Sequence, residues 1–518
     1  MVSSTISNNN YEKYLQILIS GSTLNRRKAI MALIADTYNR KRILKCIAKI
    51  IREQSDVLYN PISHNSNQKY KQRIKATIVQ QAAIQTALGI LGPDGLLDDD
   101  KLPCLVDKSG MLERLECWPD HIATMKNRAT EIATMFKKKH KEKMHDIRYV
   151  CIFGLGGSAA PHAIVADIIS NFRKSGIRIE VIHSDTPNPD YIDENTLVIF
   201  SSFSGDTEET VNCYDIIKAK TDLILFLTKG GKLGSIAKQD NIPLIQLPSE
   251  KNHPAYVLQP RESVCMQLIT ILTFLAQIGL KSGTNGAFGI TELAFEKNII
   301  PLLGKWRQEF GPDVPFKCNF AKRLAYFLLY GIDYSEGSLE GFDLWNKKVP
   351  CVLVDRNNWG IGHEVRCQLH ERSKINAICY DAPEFLHNLV ESIRAAAESS
   401  CAGLDDDPFV YYFIRSCDEQ SRIRLRLDKT IQLVIQDKGS YAVLNSEGKD
   451  PFQRALFAIY FNAHMTTYLA ILNGYDPLPV PTMSWLKKIM EGIPRNGDEE
   501  KKAQIAKRAL LAFNSLGI

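Results

Sequence analysis

The sequence predicts an α/β protein with two doubly wound parallel sheets behind a helical N-terminal extension. Two observations carry this. Five short β-branched or aromatic runs alternate with helical stretches between residues 148 and 280, and four more such runs follow between 349 and 444. Alternation of that kind favours parallel strands with helices on both faces of each sheet.

Taken in order, residues 1–104 read as the helical extension. Ile43, Ile47, Ile50 and Ile51 recur at helical spacing, and residues 78–91 form a second, Ala- and Gln-rich apolar helix. Residues 1–80 carry fourteen Lys/Arg against four Asp/Glu. Such a stripe reads first as the solvated face of a packing domain, with contact to nucleic acid as the weaker alternative. Gly92-Pro-Asp-Gly95 followed by Asp98-Asp-Asp100 predicts a linker out of this region.

The first sheet, within a domain expected over 105–285, takes strands at 148–153, 177–183, 197–203, 223–227 and 244–247. Its most evident helices are 207–219 and the long 261–280. After a looser stretch at 282–286, a second domain over 286–490 takes strands at 349–354, 375–380, 410–414 and 441–444, with a helix at 364–370. A charged, then apolar, tail occupies 491–518.

Bulk properties set the class. An apolar fraction of 45% and a charged fraction of 24% over 518 residues are ordinary for a globular chain. A net charge of +6 suits a small anionic substrate and makes no case for nucleic acid. Twelve cysteines are scattered from Cys46 to Cys417 with no C-x-x-C pair, which predicts reduced thiols in a cytosolic protein. Met1 to Asn10 lacks the pattern of a signal peptide. No apolar run is expected to approach the ~20 residues that span a bilayer. The expectation is a cytoplasmic protein with no membrane partner.

Four constellations carry chemistry. Gly154-Leu-Gly-Gly-Ser-Ala159 follows the first strand, where glycines and a helix N-terminus let backbone N–H groups approach an anion. Positions 154, 156 and 159 also fit a dinucleotide fingerprint, so a nucleotide, another phosphate and tight packing all stay open. Ser201-Ser-Phe-Ser-Gly-Asp-Thr-Glu-Glu-Thr210 closes a later strand and opens a helix. Ser202, Ser204 and Thr207 offer three hydroxyls where an ordinary cap needs one, which points to a phosphate cup; Asp206 and Glu209 have capping-box spacing. Gln259-Pro-Arg-Glu262 places Arg261 at a helix start, where it is either a surface ion-pair residue or a stabiliser of developing negative charge. Arg366-Cys-Gln-Leu-His-Glu-Arg-Ser-Lys374 and Pro383-Glu-Phe-Leu-His-Asn388 flank a short strand with a carboxylate and an imidazole, a weak acid/base signal by itself.

Together these segments resemble the bifunctional phosphoglucose/phosphomannose isomerase family, whose two domains have the sugar isomerase (SIS) fold. The family's entry segment looks like Asp107-Lys-Ser-Gly-Met-Leu-Glu113 with Trp118-Pro-Asp-His121. Its S-Y-S-G-N-T-E-E-T is matched by Ser202 to Thr210 with Phe203 and Asp206 as changes, and its N-x-A-K by Asn319 to Lys322. Its N-E-N-x-K falls on His370 to Lys374 and its P-E-x-x-H-N on Pro383 to Asn388, and Tyr468-Leu-Ala470, Asp476-Pro477 and Leu486-Lys487 fit its closing helices. The likeness runs in order over roughly 105–490.

The resemblance implies that Gly156, Gly157, Ser158, Ser202, Ser204 and Thr207 hold a sugar's phosphate. It implies that Arg261 stabilises an enediol(ate), that Glu371 shuttles a proton between C1 and C2, and that His387 and Lys487 assist ring opening. In the family the histidine comes from a neighbouring subunit, so a homodimer with shared sites is implied, with no cofactor and no metal. His370 and Arg372 depart from the family's asparagines beside the base, and Pro161 and His162 from its small residues after the glycine loop. The alternative is a non-catalytic SIS module that binds or senses a sugar phosphate. A dinucleotide-dependent enzyme ranks third, because it leaves the hydroxyls at 202–207 without a role.

Overall fold

Two packed helices come first among the elements that the computed structural model describes in full: α1 (Arg40–Tyr59) and α2 (Asn67–Leu97). The structure describes residues 17, 26, 29–30, 32–33, 40–59, 67–156, 159–171, 177–183, 191–251, 253, 255–280, 298–334, 347–401, 407–436 and 439–483. In α1 the four isoleucines read from the sequence are buried, while Lys41, Lys45, Lys49 and Arg52 lie exposed on the opposite face. The expected linker is corrected. Gly92 adopts a non-helical φ of 75° and kinks α2, which then runs on to Leu97. Asp98 is a clamp, accepting from Phe316 N (2.8 Å) and from Lys322 Nζ (2.7 Å).

Short helices α3 (Leu102–Val106) and α4 (Met111–Glu116) lead into α5 (Trp118–Lys139). The first sheet follows: β1 (Tyr149–Phe153), α6 (Ala160–Asn171), β2 (Arg178–Ile182), β3 (Thr196–Ser202), α7 (Glu208–Ile217), β4 (Ile224–Thr228), α8 (Gly231–Gln239) and β5 (Leu244–Gln246). A 3-10 turn, Pro260–Glu262, precedes α9 (Val264–Gln277), so the long expected helix is divided at Ser263. Two helices then bridge to the second sheet, α10 (Ile300–Phe310) and α11 (Phe320–Tyr330). That sheet holds β6 (Val349–Asp355), α12 (Trp359–Glu371), β7 (Ile378–Ala382), α13 (Leu389–Cys401), β8 (Phe409–Arg415), α14 (Ser421–Gln436) and β9 (Ser440–Asn445), and α15 (Pro451–Leu472) closes the fold. The stretch at 282–286 and the tail from 491 lie outside the described residues.

Both sheets are wholly parallel, in orders β2-β1-β3-β4-β5 and β7-β6-β8-β9. Alternate strand residues go to different cores, as the two-residue period of a strand requires. Cys151, Phe153, Val198 and Phe200 face a private core under α7 and α8. Cys351, Leu353, Tyr411 and Phe413 do the same beneath α13 and α14. Their neighbours Val150, Ile152, Leu197, Ile199, Val352, Val354, Val410 and Tyr412 share one continuous core with α1, α2, α5, α9, α11 and α15.

Helix α15 corrects the expectation about apolar runs: its 22 residues are long and apolar enough to cross a membrane. The apolar window is entirely buried inside the protein, between α11, α12 and α2, which is the position of a core helix. Glycine permits the closest crossing nearby. A Cβ on Gly360, at the start of α12, would stand 2.4 Å from Ile164 N of α6, and Gly360 N donates to Asp167 Oδ2 at 2.6 Å.

Candidate active site

The order β2-β1-β3 means that the chain leaves β1 and β3 in opposite directions across the sheet. Loops at two such neighbouring carboxyl ends diverge and leave a crevice. Both glycine- and serine-bearing segments sit there. Gly154 N donates to Ile182 O (3.3 Å) at the end of β1, and exposed Gly156 follows. Gly157 and Ser158 lie outside the described residues.

At the end of β3 the hydroxyls converge. Ser202 Oγ is 2.8 Å from Thr207 Oγ1 and accepts from Gly205 N at 3.1 Å, while Ser204 Oγ accepts from Asp206 N at 3.2 Å. Thr207 is the N-cap of α7 yet makes no side-chain cap bond, so its first-turn N–H groups stay uncapped by that hydroxyl. The expected capping box at Asp206 and Glu209 is absent; Asp206 Oδ1 instead accepts from Lys232 N (3.0 Å) at the start of α8. The turn needs Gly205, at φ 79°, because a Cβ there would lie 1.8 Å from Gly230 O.

A short hydrogen-bond relay leads from this cup to Arg261. Ser201 Oγ donates to Gln267 Oε1 (3.2 Å), Gln267 Nε2 to Ser263 Oγ (2.8 Å), and Ser263 Oγ to Pro260 O (2.6 Å). Glu262 fixes the same turn by accepting from Leu258 N and Gln259 N, both at 2.7 Å, and pairs with Arg114 at 3.3 Å. Arg261 is thereby held across the gap between the two sheets, where its Nη1 donates to Glu371 Oε2 at 3.0 Å. The guanidinium is only 2% exposed, and its Nε and Nη2 are buried without a partner. Burial weakens its hold on the proton and the Glu371 carboxylate opposes that. Unused buried N–H groups cost about 1–3 kcal/mol each unless a ligand supplies acceptors.

Glu371 ends α12 and keeps a fifth of its side chain exposed. Neither departure beside it, His370 or Arg372, hydrogen-bonds its carboxylate among the described residues. Arg372 is fully buried, donating to Ala463 O (2.6 Å) and Thr466 Oγ1 (3.3 Å) of α15; burial brings it down to about 9. The His370 ring engages the backbone of Ala377. Lys374 Nζ donates to the Glu371 carbonyl. One face of α12 deeper, Glu364 is enclosed beside Gln368, and burial pushes its carboxyl up to about 8.

His387 is exposed on the 3-10 turn Glu384–His387 after β7, and no hydrogen bond or ion pair joins it to Glu371 among the described residues. Lys487 lies outside the described residues. Other matched segments are structural. Asp107 caps α4 by accepting from Met111 N and Leu112 N, and Asn319 caps α11. Sequence reasoning missed Glu262, Gln267 and Lys374. Glu262 stood at the third position after Gln259, the spacing of a reciprocal cap, and Gln267 was an amide set among apolar residues in the first turn of a helix.

Residues 343–490 match the family model described as the bacterial phospho-glucose isomerase C-terminal SIS domain. A bifunctional phosphoglucose/phosphomannose isomerase from Caldicellulosiruptor bescii is 30% identical over 349 residues, covering 67% of this chain and 90% of that protein. Its counterpart in Aquifex aeolicus is 24% identical over 341 residues, 65% of this chain and 88% of that one. Among solved structures, a tagatose-6-phosphate ketose/aldose isomerase from Escherichia coli aligns with a TM-score of 0.47 at 15% identity, over 72% of this chain and 96% of that chain. By its match to nearly the whole length of the Caldicellulosiruptor protein, the chain belongs to the bifunctional phosphoglucose/phosphomannose isomerase family.

Proposed function

We propose that the chain is an aldose–ketose isomerase that interconverts glucose 6-phosphate and fructose 6-phosphate through a cis-enediol(ate), and accepts mannose 6-phosphate as well. The observation that carries this is the Arg261–Glu371 contact with two buried guanidinium donors left unused. Glu371 takes the C2 proton of the open-chain aldose and returns it to C1. Arg261 meets the negative charge that grows on the sugar oxygens, with little reorganisation because the relay from Ser201 already holds its turn. The hydroxyls of Ser202, Ser204 and Thr207, with the glycine loop, hold the phosphate at the crevice. Glucose and mannose 6-phosphates differ only at C2 and share an enediol with no stereocentre there, so one base serves both when the open chain rotates to present either face of C2.

His387 assists ring opening from a second copy, in a homodimer with shared sites; its exposure, with no hydrogen bond to its own chain's Glu371 among the described residues, supports this. Lys487 assists at the same step. Among the described residues eleven cysteines, Cys104, Cys318 and Cys417 at the surface among them, stand as free thiols, which fits a cytoplasmic enzyme. A module that only binds a sugar phosphate has no use for a carboxylate against a buried arginine.

The test is an assay of the purified chain with glucose, mannose and fructose 6-phosphates offered separately, alongside Glu371→Gln. Turnover by the wild type and a loss of ~10²–10⁴-fold in the variant, with KM little changed, are expected. Wild-type turnover in Glu371→Gln, or none by the native chain with any of the three sugars, sinks the proposal.

A further inference from the structure

Moving a carbonyl by one carbon requires two kinds of proton transfer. One group carries a proton between C2 and C1; another must deliver a proton to O1 and remove one from O2. Arg261 can stabilise charge on those oxygens, but a guanidinium does not exchange protons under ordinary conditions. Glu371 is committed to carbon.

The described residues place a further titratable group at this pair. Lys374 is half-buried three residues beyond Glu371, with its Nζ on the Glu371 carbonyl. Its backbone has φ 58°, in the left-handed region that costs a residue with a side chain roughly 1–2 kcal/mol. Neighbours impose that conformation. Arg372 is fastened to Ala463 O, Ser373 Oγ donates to Thr466 O (2.7 Å), and Asn473 Nδ2 donates to Ser373 O (2.8 Å). The amine is therefore positioned by α15 rather than by its own backbone preference. Burial, then the charge of Arg261, pulls it down to about 7, against the opposing pull of Glu371; Arg372 adds to the lowering. Among the other ionisable neighbours, Glu364 is enclosed beside Gln368 and His370 is engaged with Ala377.

Resting on the isomerase assignment made above, we propose that Lys374 is a second catalytic residue, exchanging the hydroxyl protons of the sugar while Glu371 exchanges the carbon-bound one. Starting from the open-chain aldose, Glu371 takes the C2 proton and the C2–H pair becomes the C1–C2 double bond. The carbonyl π pair moves to O1, which takes a proton from the Lys374 ammonium. The enediol then loses its O2 proton to the Lys374 amine as protonated Glu371 returns its proton to C1. C1 is reduced, C2 is oxidised, and both side chains end as they began.

Two variants test this. Lys374→Gly keeps the left-handed turn accessible and removes the amine; Lys374→Arg keeps the charge but cannot exchange protons. In both, kcat should fall ~10²-fold or more while KM for the sugar phosphate stays within about threefold. Ethylamine should restore turnover to Lys374→Gly by about tenfold or more, a readout that a structural role would not move. Wild-type kcat should decline as pH rises through about 7, when the ammonium loses its proton, and Lys374→Arg should lack that limb. Wild-type turnover in Lys374→Arg overturns the proposal, since charge alone would then suffice. If Lys374→Gly does not fold by circular dichroism, the Arg variant decides by the same criteria. Glu371→Gln is assayed in parallel. Should it keep turnover, the isomerase assignment and this inference fall together; should it be inactive while the Lys374 variants are unimpaired, only this inference falls.

Discussion

Arg261 and Glu371 lie 110 residues apart, and each motif taken singly is ambiguous: a helix-start arginine and a lone glutamate. Their contact is a tertiary event that local pattern does not encode, and only the family resemblance pointed to it. The fork geometry of Arg261 matters because two of its nitrogens, Nε and Nη2, are buried and unmet. Arg261→Lys keeps the charge but loses the fork, and kcat is expected to drop by ~10²-fold or more in a steady-state assay. Glu364 gives a separate prediction at the same scale. Burial raises its carboxyl from 4.5 to about 8. The stability it contributes as a neutral group is therefore complete below the unfolded value and is lost as pH rises through the folded one. Urea unfolding should show the wild type losing stability between about pH 5 and pH 8, and Glu364→Gln should flatten that dependence. An unchanged slope in the variant would assign the dependence to other groups.

Each expected strand has a counterpart within a few residues, because short apolar runs bounded by turn residues have few other uses in an alternating chain. Helix starts were harder to read. The turn at 260–262 separates from α9, and Asp206 bonds across to Lys232 rather than capping its own helix, since a nearby backbone from another element competes for it. Most of the serine-rich cup was legible as an excess of hydroxyls, whereas the Gly205–Gly230 approach that shapes it was not. Gly205→Ala should therefore be costly, at roughly 3 kcal/mol in chemical denaturation, with a raised KM for the sugar phosphate. Near-native stability and KM would mean that the Gly230 loop moves aside freely. The second sheet has its own switch point between β6 and β8, yet side chains close it. Arg454 Nη2 donates to Asp418 Oδ2 at 2.5 Å and Asp355 Oδ2 accepts from Asn358 Nδ2 at 2.7 Å, leaving a cavity of about 10 Å³.

Across the whole molecule, the shared core joins both sheets to the N-terminal helices, so the extension is part of the structure that fixes Arg261 against Glu371. Subunit arrangement can be tested by mixing. Equal amounts of Glu371→Gln and His387→Ala chains, unfolded and refolded together, should recover roughly a quarter of native activity if each site takes its histidine from the partner. No recovery in a mixture that demonstrably forms heterodimers would place the histidine's role elsewhere. A further consequence concerns synthesis. Gln80 Nε2 donates to Gly474 O at 3.1 Å, and Tyr330 OH donates to Gln85 Oε1 at 3.1 Å, so α2, besides packing on α1, takes seats on segments made much later. With α15 at the centre of the common interior, a ribosome must deliver nearly the whole polypeptide before α2 can complete its packing. Until then the side of α2 that α15 covers stays bare, and the growing chain depends on whatever shields it during translation.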